Sequence, residues 1–155
     1  MINSRTTIWQ PQTVLLQFRY AMMTAPIKKE IPVMDYKILF IAGNSNAQWG
    51  NILQKAIGQA GCVKLTTLRN FSSLIMKDSF HLIFIDAGEI SSFPQLVKEV
   101  HQLQPEAKII VATASPTWQR ARDAMRAGAY DYIRKHQNIN QLANYLSETI
   151  HQENK

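Results

Sequence analysis

The sequence predicts an α/β fold: five strands alternate with five helices, giving a parallel sheet covered on both faces as a three-layer sandwich. Three observations predict it. Short apolar runs such as Leu82-Ile83-Phe84-Ile85 and Lys108-Ile109-Ile110-Val111-Ala112 suit strands buried on both faces. Between the runs, apolar residues recur every three or four positions, as on one face of a helix. The two kinds of segment alternate from Tyr36 onward, and such alternation argues for parallel pairing.

The elements follow in order. Lys37-Ile38-Leu39-Phe40-Ile41-Ala42 is the first strand, ended by Gly43-Asn44-Ser45-Asn46. Ser45 or Asn46 can cap the next helix, where Trp49, Ile52, Leu53, Ala56, Ile57 and Ala60 form one face and Gly61 stops it. Val63 to Leu68 alternates and is partly β-branched, which suits a second strand. Phe71 to Met76 fits a short helix. The third strand ends at Asp86-Ala87-Gly88, and Leu96, Val97, Val100 and Leu103 mark the third helix before Pro105. After the fourth strand, Ala121, Ala124 and Met125 mark a helix ended by Gly128. Tyr130 to Ile133 is a short fifth strand, and Leu142, Leu146 and Ile150 mark the last helix. Right-handed crossovers leave few topologies for this order. The commonest is the flavodoxin-like (βα)5 arrangement, strand order 2-1-3-4-5, with sites at the carboxyl ends of the strands.

Composition narrows the class. The chain has 155 residues, 46% of them hydrophobic, which suits one domain with a real core, here expected over residues 34–152. No apolar run approaches the ~20 residues that span a membrane, so no membrane partner is expected. The single cysteine, Cys62, rules out an intramolecular disulfide and fits a reducing, cytoplasmic location. The formal charge is +6, with half the excess in residues 1–33. From Met34 on, thirteen Lys/Arg face ten Asp/Glu, an ordinary balance that does not call for nucleic acid. Residues 1–33 read as a disordered extension or as a start codon assigned too early, with Met34 a natural start; their basic, acid-poor composition also resembles an organelle transit peptide. Residues 153–155 read as a frayed tail.

The strand ends carry the chemistry. The third strand delivers a carboxylate, Asp86, the fourth a hydroxyl, Thr113, and the fifth an ammonium, Lys135. A carboxylate can accept a phosphoryl group, and a hydroxyl and an ammonium can bind its oxygens.

From about Tyr36 to about Ile150 the sequence resembles the receiver domain of two-component response regulators. Lys37-Ile38-Leu39-Phe40-Ile41 is similar to that family's first strand, and His81-Leu82-Ile83-Phe84-Ile85-Asp86 to the strand ending in the phospho-acceptor. Ile109-Ile110-Val111-Ala112-Thr113-Ala114 is similar to the strand with the switch hydroxyl. The most specific match is Ala124-Met125-Arg126-Ala127-Gly128-Ala129-Tyr130-Asp131-Tyr132-Ile133-Arg134-Lys135. The resemblance implies a phospho-acceptor position at Asp86, a switch aromatic at Tyr132, a switch hydroxyl at Thr113 and a site lysine at Lys135.

The departures are as informative. Where the family has acids that hold Mg²⁺, this chain has Ala42, Gly43 and Asn44. Mg²⁺ is a hard cation that takes oxygen ligands, so no cofactor, or at best weak Mg²⁺, is expected. Any ligands would come from Asp86, Asn44 and Glu89. The segment after Asp86 reads Ala87-Gly88-Glu89-Ile90 rather than the family's pattern, and His136 replaces the proline that usually follows the lysine. The loop after the fifth strand is therefore expected to take another course.

Asp86 keeps three readings: a working acceptor, an inherited acid that is no longer modified, or a local cap. Without the acidic corner, Lys135 can pair with Asp86 constitutively. Thr113 and Tyr132 are either moving parts or strand-end packing. Gly43 before a helix is not a phosphate loop, since no Gly-Lys-Ser/Thr follows. The resemblance implies a partner or dimer surface on the fourth helix, fifth strand and fifth helix. Trp118, Arg120, Arg122, Arg126 and Arg134 would lie there, either facing an acidic protein or as a solvated basic face. The expected function is a signalling adaptor rather than an enzyme, working by protein–protein contact in a phosphorelay, with phosphorylation at Asp86 weak or lost. A histidine kinase, a downstream regulator or a second copy is the expected partner. Two alternatives stay open: an ordinary acceptor phosphorylated by a histidine kinase, and a small flavodoxin-like ligand binder or enzyme.

Overall fold

The computed structural model describes residues 35–43 and 48–152. The expectations for residues 1–33 and 153–155, for Asn44, and for the Ser45 or Asn46 cap lie outside them.

Five parallel strands form one sheet: β1 (Tyr36–Ala42), β2 (Gly61–Thr67), β3 (Leu82–Asp86), β4 (Lys108–Thr113) and β5 (Asp131–Arg134). Their spatial order is β2-β1-β3-β4-β5, the flavodoxin-like order. The helices are α1 (Gln48–Ile57), α2 (Phe71–Lys77), α3 (Phe93–Leu103), α4 (Trp118–Ala127) and α5 (Ile139–His151).

Strand side chains alternate between faces, so each central strand feeds two cores. Leu39, Ile41, Ile83, Ile85, Ile109 and Val111 pack under α2, α3 and α4. Ile38, Phe40, Leu82, Phe84, Ile110 and Ala112 pack under α1 and α5. Every residue of β3 and β4 is buried, which is why both read as unbroken apolar runs. Each fully buried Ile, Leu or Phe contributes about 1.5–3 kcal/mol of transfer free energy. Together they make the carboxyl end of the sheet a rigid platform for Asp86 and Thr113.

Several boundaries differ from expectation, each for a local reason. The first helix ends at Ile57, because Gly58 turns the chain at φ +60° into a short 3-10 turn. Gly61 does not stop a helix; it opens β2. A Cβ there would stand 2.4 Å from the Tyr36 carbonyl oxygen, so the pairing with β1 needs glycine. Edge strand β2 is only partly covered, and Leu65 and Leu68 face solvent. Helix α3 starts at Phe93, with Pro94 in its first turn, where a missing N–H costs nothing. In α4 the buried contacts are the small Ala124 and Ala127, whereas Met125 is exposed.

Candidate functional site

Three loops meet at the carboxyl end of the sheet. Asp86 closes β3, opposite Ala112 of β4. Thr113 closes β4, opposite Arg134 of β5. One residue beyond β5, the Lys135 N–H donates to the Thr113 carbonyl at 2.8 Å. That backbone bond aims the lysine across the end of β4 toward β3. Lys135 Nζ lies 2.8 Å from Asp86 Oδ2, with side-chain exposures of 15% and 0%. Gly88 N–H donates to the other oxygen, Oδ1, at 2.9 Å. The carboxylate is thus out of water, with one cation and one amide as partners. Charge-assisted bonds of this kind are among the stronger ones in proteins.

Thr113 is buried, and its hydroxyl accepts from the Ser115 N–H at 3.2 Å. The sequence-derived trio of Asp86, Thr113 and Lys135 is therefore gathered in one place, with Asp86 and Lys135 in direct contact. Tyr132 packs against the core under α2, α3 and α4. Its hydroxyl accepts from the Thr117 N–H at 3.3 Å, at the head of α4.

Ala42 is buried at the end of β1 and offers no polar side chain. Gly43 lies directly under Glu89. A Cβ at Gly43 would stand 2.1 Å from Glu89 Oε1 and 2.3 Å from Glu89 Cβ. The space that a side chain at position 43 would need is filled by Glu89, so the glutamate lies over the corner of the site. Among the described residues, no group of three or more His, Cys, Asp or Glu side chains is placed to hold a metal ion.

The basic residues divide into two sets. Arg122, Arg126 and Arg134 are exposed. The Arg122 guanidinium lies 4.8 Å from the ring centre of Trp118, which is 69% exposed. Arg134 Nη1 donates to the Ala114 carbonyl at 3.1 Å. Arg120 departs from the expected outward face. It turns inward, donates to the Ala87 carbonyl, and lies 5.2 Å from the Phe93 ring centre. Helical periodicity cannot foresee this, because the residue's partner comes from a different loop.

Two more residues matter that the sequence reading did not assign to the site. Trp49 was read only as part of a helix face. Its indole N–H donates to the His136 carbonyl at 2.9 Å, tying α1 to the loop after β5. Tyr145 of α5 donates to Asp131 Oδ2 at 2.8 Å, fixing α5 on β5. Burial and the neighbouring Asp131 carboxylate both push the Tyr145 phenol pKa upward.

No family model matches the sequence, and no curated protein matches it. Solved structures do. An orphan response regulator of H. pylori superposes with a TM-score of 0.67 at 19% identity, over 77% of this chain and 99% of that one. A response regulator from Thermotoga maritima gives 0.68 at 18% identity, over 76% and 98%. The fold is that of a receiver domain. A third receiver-fold structure is an atypical orphan response regulator, described as having a phosphorylation-independent regulatory mechanism; it gives 0.62 at 17% identity, over 74% of this chain and 94% of that one. Among the described residues of this receiver fold, no helix is long and apolar enough to cross a membrane.

Proposed function

We propose that the chain is an atypical receiver-type signalling module. It acts through protein contacts rather than as an enzyme, with phosphorylation at Asp86 weak or lost and no resident Mg²⁺. The observation that carries this reading is the corner beside Asp86: Ala42 and Gly43 bring no side-chain oxygen there, and the cation facing the buried carboxylate is Lys135, 2.8 Å away. Phosphoryl transfer needs a free oxygen in line with the incoming group and charge neutralisation beside it. Here each carboxylate oxygen accepts one hydrogen bond and keeps a lone pair, so the weak point is the second requirement: Lys135 is the cation facing the carboxylate, and Ala42 and Gly43 bring no acid to hold a metal ion beside it. Mg²⁺ demands near-octahedral oxygen ligation. The residues at the corner fit it poorly, since Ala42 and Gly43 bring no side-chain oxygen and Glu89 fills the space above Gly43.

The exposed surface supports the contact half of the proposal. Trp118, Arg122, Arg126 and Arg134 form a basic face with one aromatic anchor, and Trp and Arg are enriched at binding hot spots. That chemistry suits an acidic protein partner, such as a kinase or downstream regulator. It disfavours self-association through the same face, where like charges would meet.

One observation favours a second reading, the ordinary phospho-acceptor. Glu89 brings a carboxylate to the corner that the sequence leaves without one. The test is incubation of the full chain with Mg²⁺ and acetyl phosphate or beryllofluoride. We expect no gain in intact mass and no NMR shifts around Thr113 and Tyr132. A mass gain that disappears in Asp86→Ala would overturn the proposal and establish the second reading.

A further inference from the structure

The Ala87–Gly88 peptide is gripped at both ends. Its N–H, from Gly88, donates to Asp86 Oδ1 at 2.9 Å. Its carbonyl, from Ala87, accepts from Arg120 Nη2. These two groups belong to a single planar unit, in which C=O and N–H point in opposite directions and turn together. Ala87 N–H, held by the Ala112 carbonyl at 2.9 Å, anchors the chain on one side, and Ile90 N–H, held by the Asp86 carbonyl at 3.1 Å, anchors it on the other. Tilting the plane is the motion left to it.

At the far end of the link, Arg120 sits in the first turn of α4. Its own N–H donates to the capping Thr117 hydroxyl at 3.3 Å, and its guanidinium rests on Phe93 at the head of α3. One turn of helix carries Trp118 and Arg122, which stack on each other at the exposed head of α4. In this geometry a shift of the Asp86 carboxylate would turn the peptide, redirect the Ala87 carbonyl and release or re-aim Arg120.

We propose that Arg120 is a positioning residue, which couples the Asp86 carboxylate to the Trp118–Arg122 head of α4 through the Ala87–Gly88 peptide plane. The coupling needs neither a phosphoryl group nor a partner, so it stands or falls separately from the signalling proposal.

The test is amide hydrogen exchange and the Trp118 indole NMR signal on the full chain, in a double-mutant design. Asp86→Ala removes the acceptor for Gly88 N–H. Gly88→Ala serves as a second perturbation should Asp86→Ala fold poorly: its Cβ would stand 3.1 Å from Asp86 Oδ1, disturbing the same peptide while keeping the lysine pair. Either change should speed exchange at residues 120–122, the first held amides of α4, about fivefold or more, the lower end of measured couplings between sites. It should also move the Trp118 signal, and the acceleration in α4 should exceed that in β1 and α1, where exchange reports only the global loss of stability. In an Arg120→Ala background the same changes should add nothing in α4 beyond the change seen in β1 and α1, and Arg120→Lys should restore only part of the response. Tyr132→Phe should leave the response intact. An α4 response that persists in Arg120→Ala, or that Tyr132→Phe abolishes, would place the coupling on the Thr117–Tyr132 contact and overturn the proposal. No α4 response in the wild-type background would overturn it as well.

Discussion

The pocket around Asp86 and the outer surface of α4 are built on opposite terms. In the pocket, the charge of Asp86 is buried and met from within by Lys135 and Gly88, while the exposed Glu89 fills the space above Gly43. On α4, charge and aromatic surface are left outside, with Trp118 69% exposed and Arg122 stacked on it. A group satisfied internally resists new ligands, because any ligand must first displace the existing partner. An exposed aromatic with nearby cations has little to lose on binding. On the proposed reading, recognition belongs to the helix surface and stability to the pocket.

That contrast can be broken most forcefully at Lys135. Lys135→Met leaves Asp86 buried without its cation, and such changes cost about 3–5 kcal/mol. Asp86→Asn should cost less, about 1–3 kcal/mol, since Lys135 is partly exposed and can turn to water. The double change should recover much of the Lys135→Met loss. Urea unfolding of the three variants measures this, and equal costs for the two single changes would mean the pair is not buried as described.

The corner offers the next test. Gly43→Asp restores an acid but drives it into Glu89, an overpacking cost of about 1–3 kcal/mol. Adding Glu89→Ala should remove most of that cost. Thermal unfolding of the single and double variants reports it, and a Gly43→Asp protein as stable as wild type would show that Glu89 does not hold the corner.

Tyr145 ties α5 to β5 through Asp131. Tyr145→Phe removes a hydrogen bond to a carboxylate, worth about 1.5–3 kcal/mol. The folded phenol pKa lies above its unfolded value, so its contribution is present in full below the unfolded tyrosine pKa of about 10 and is lost as pH rises through the folded value. The stability gap between wild type and Tyr145→Phe should therefore be flat through neutral pH and narrow only in strong alkali. Narrowing near neutrality would contradict this.

The smallest effect on stability belongs to the surface. Trp118→Ala and Arg122→Ala should change unfolding free energy by no more than about 0.5 kcal/mol. A larger loss would mean that the head of α4 is part of the fold rather than a free contact face.

Much of the fold was legible in the sequence because its cause is local. Leu82 to Ile85 and Lys108 to Ala112 read as buried strands since every residue in them meets a core face. The gathering of Asp86, Thr113 and Lys135 followed from strand order, which aligns the carboxyl ends. The parts that were not legible depend on where long side chains travel. Glu89 over Gly43, Arg120 on Ala87 and Trp49 on His136 each join residues from different elements. No spacing rule announces such meetings. Met125 misled for a related reason: its position in α4 fits the apolar pattern, yet the buried residues of the helix are Ala124 and Ala127.

The most direct test of the closed pocket is the carboxyl carbon resonance of Asp86, followed by NMR as Mg²⁺ is added to wild type and to Glu89→Gln. With Lys135 facing Asp86 and no acid at Ala42 or Gly43 to share a metal ion, the Asp86 signal should stay in place, without saturable change, in both proteins. A saturable shift in wild type that is lost in Glu89→Gln would contradict the account, because it would make Glu89 a metal ligand and Asp86 an open acceptor.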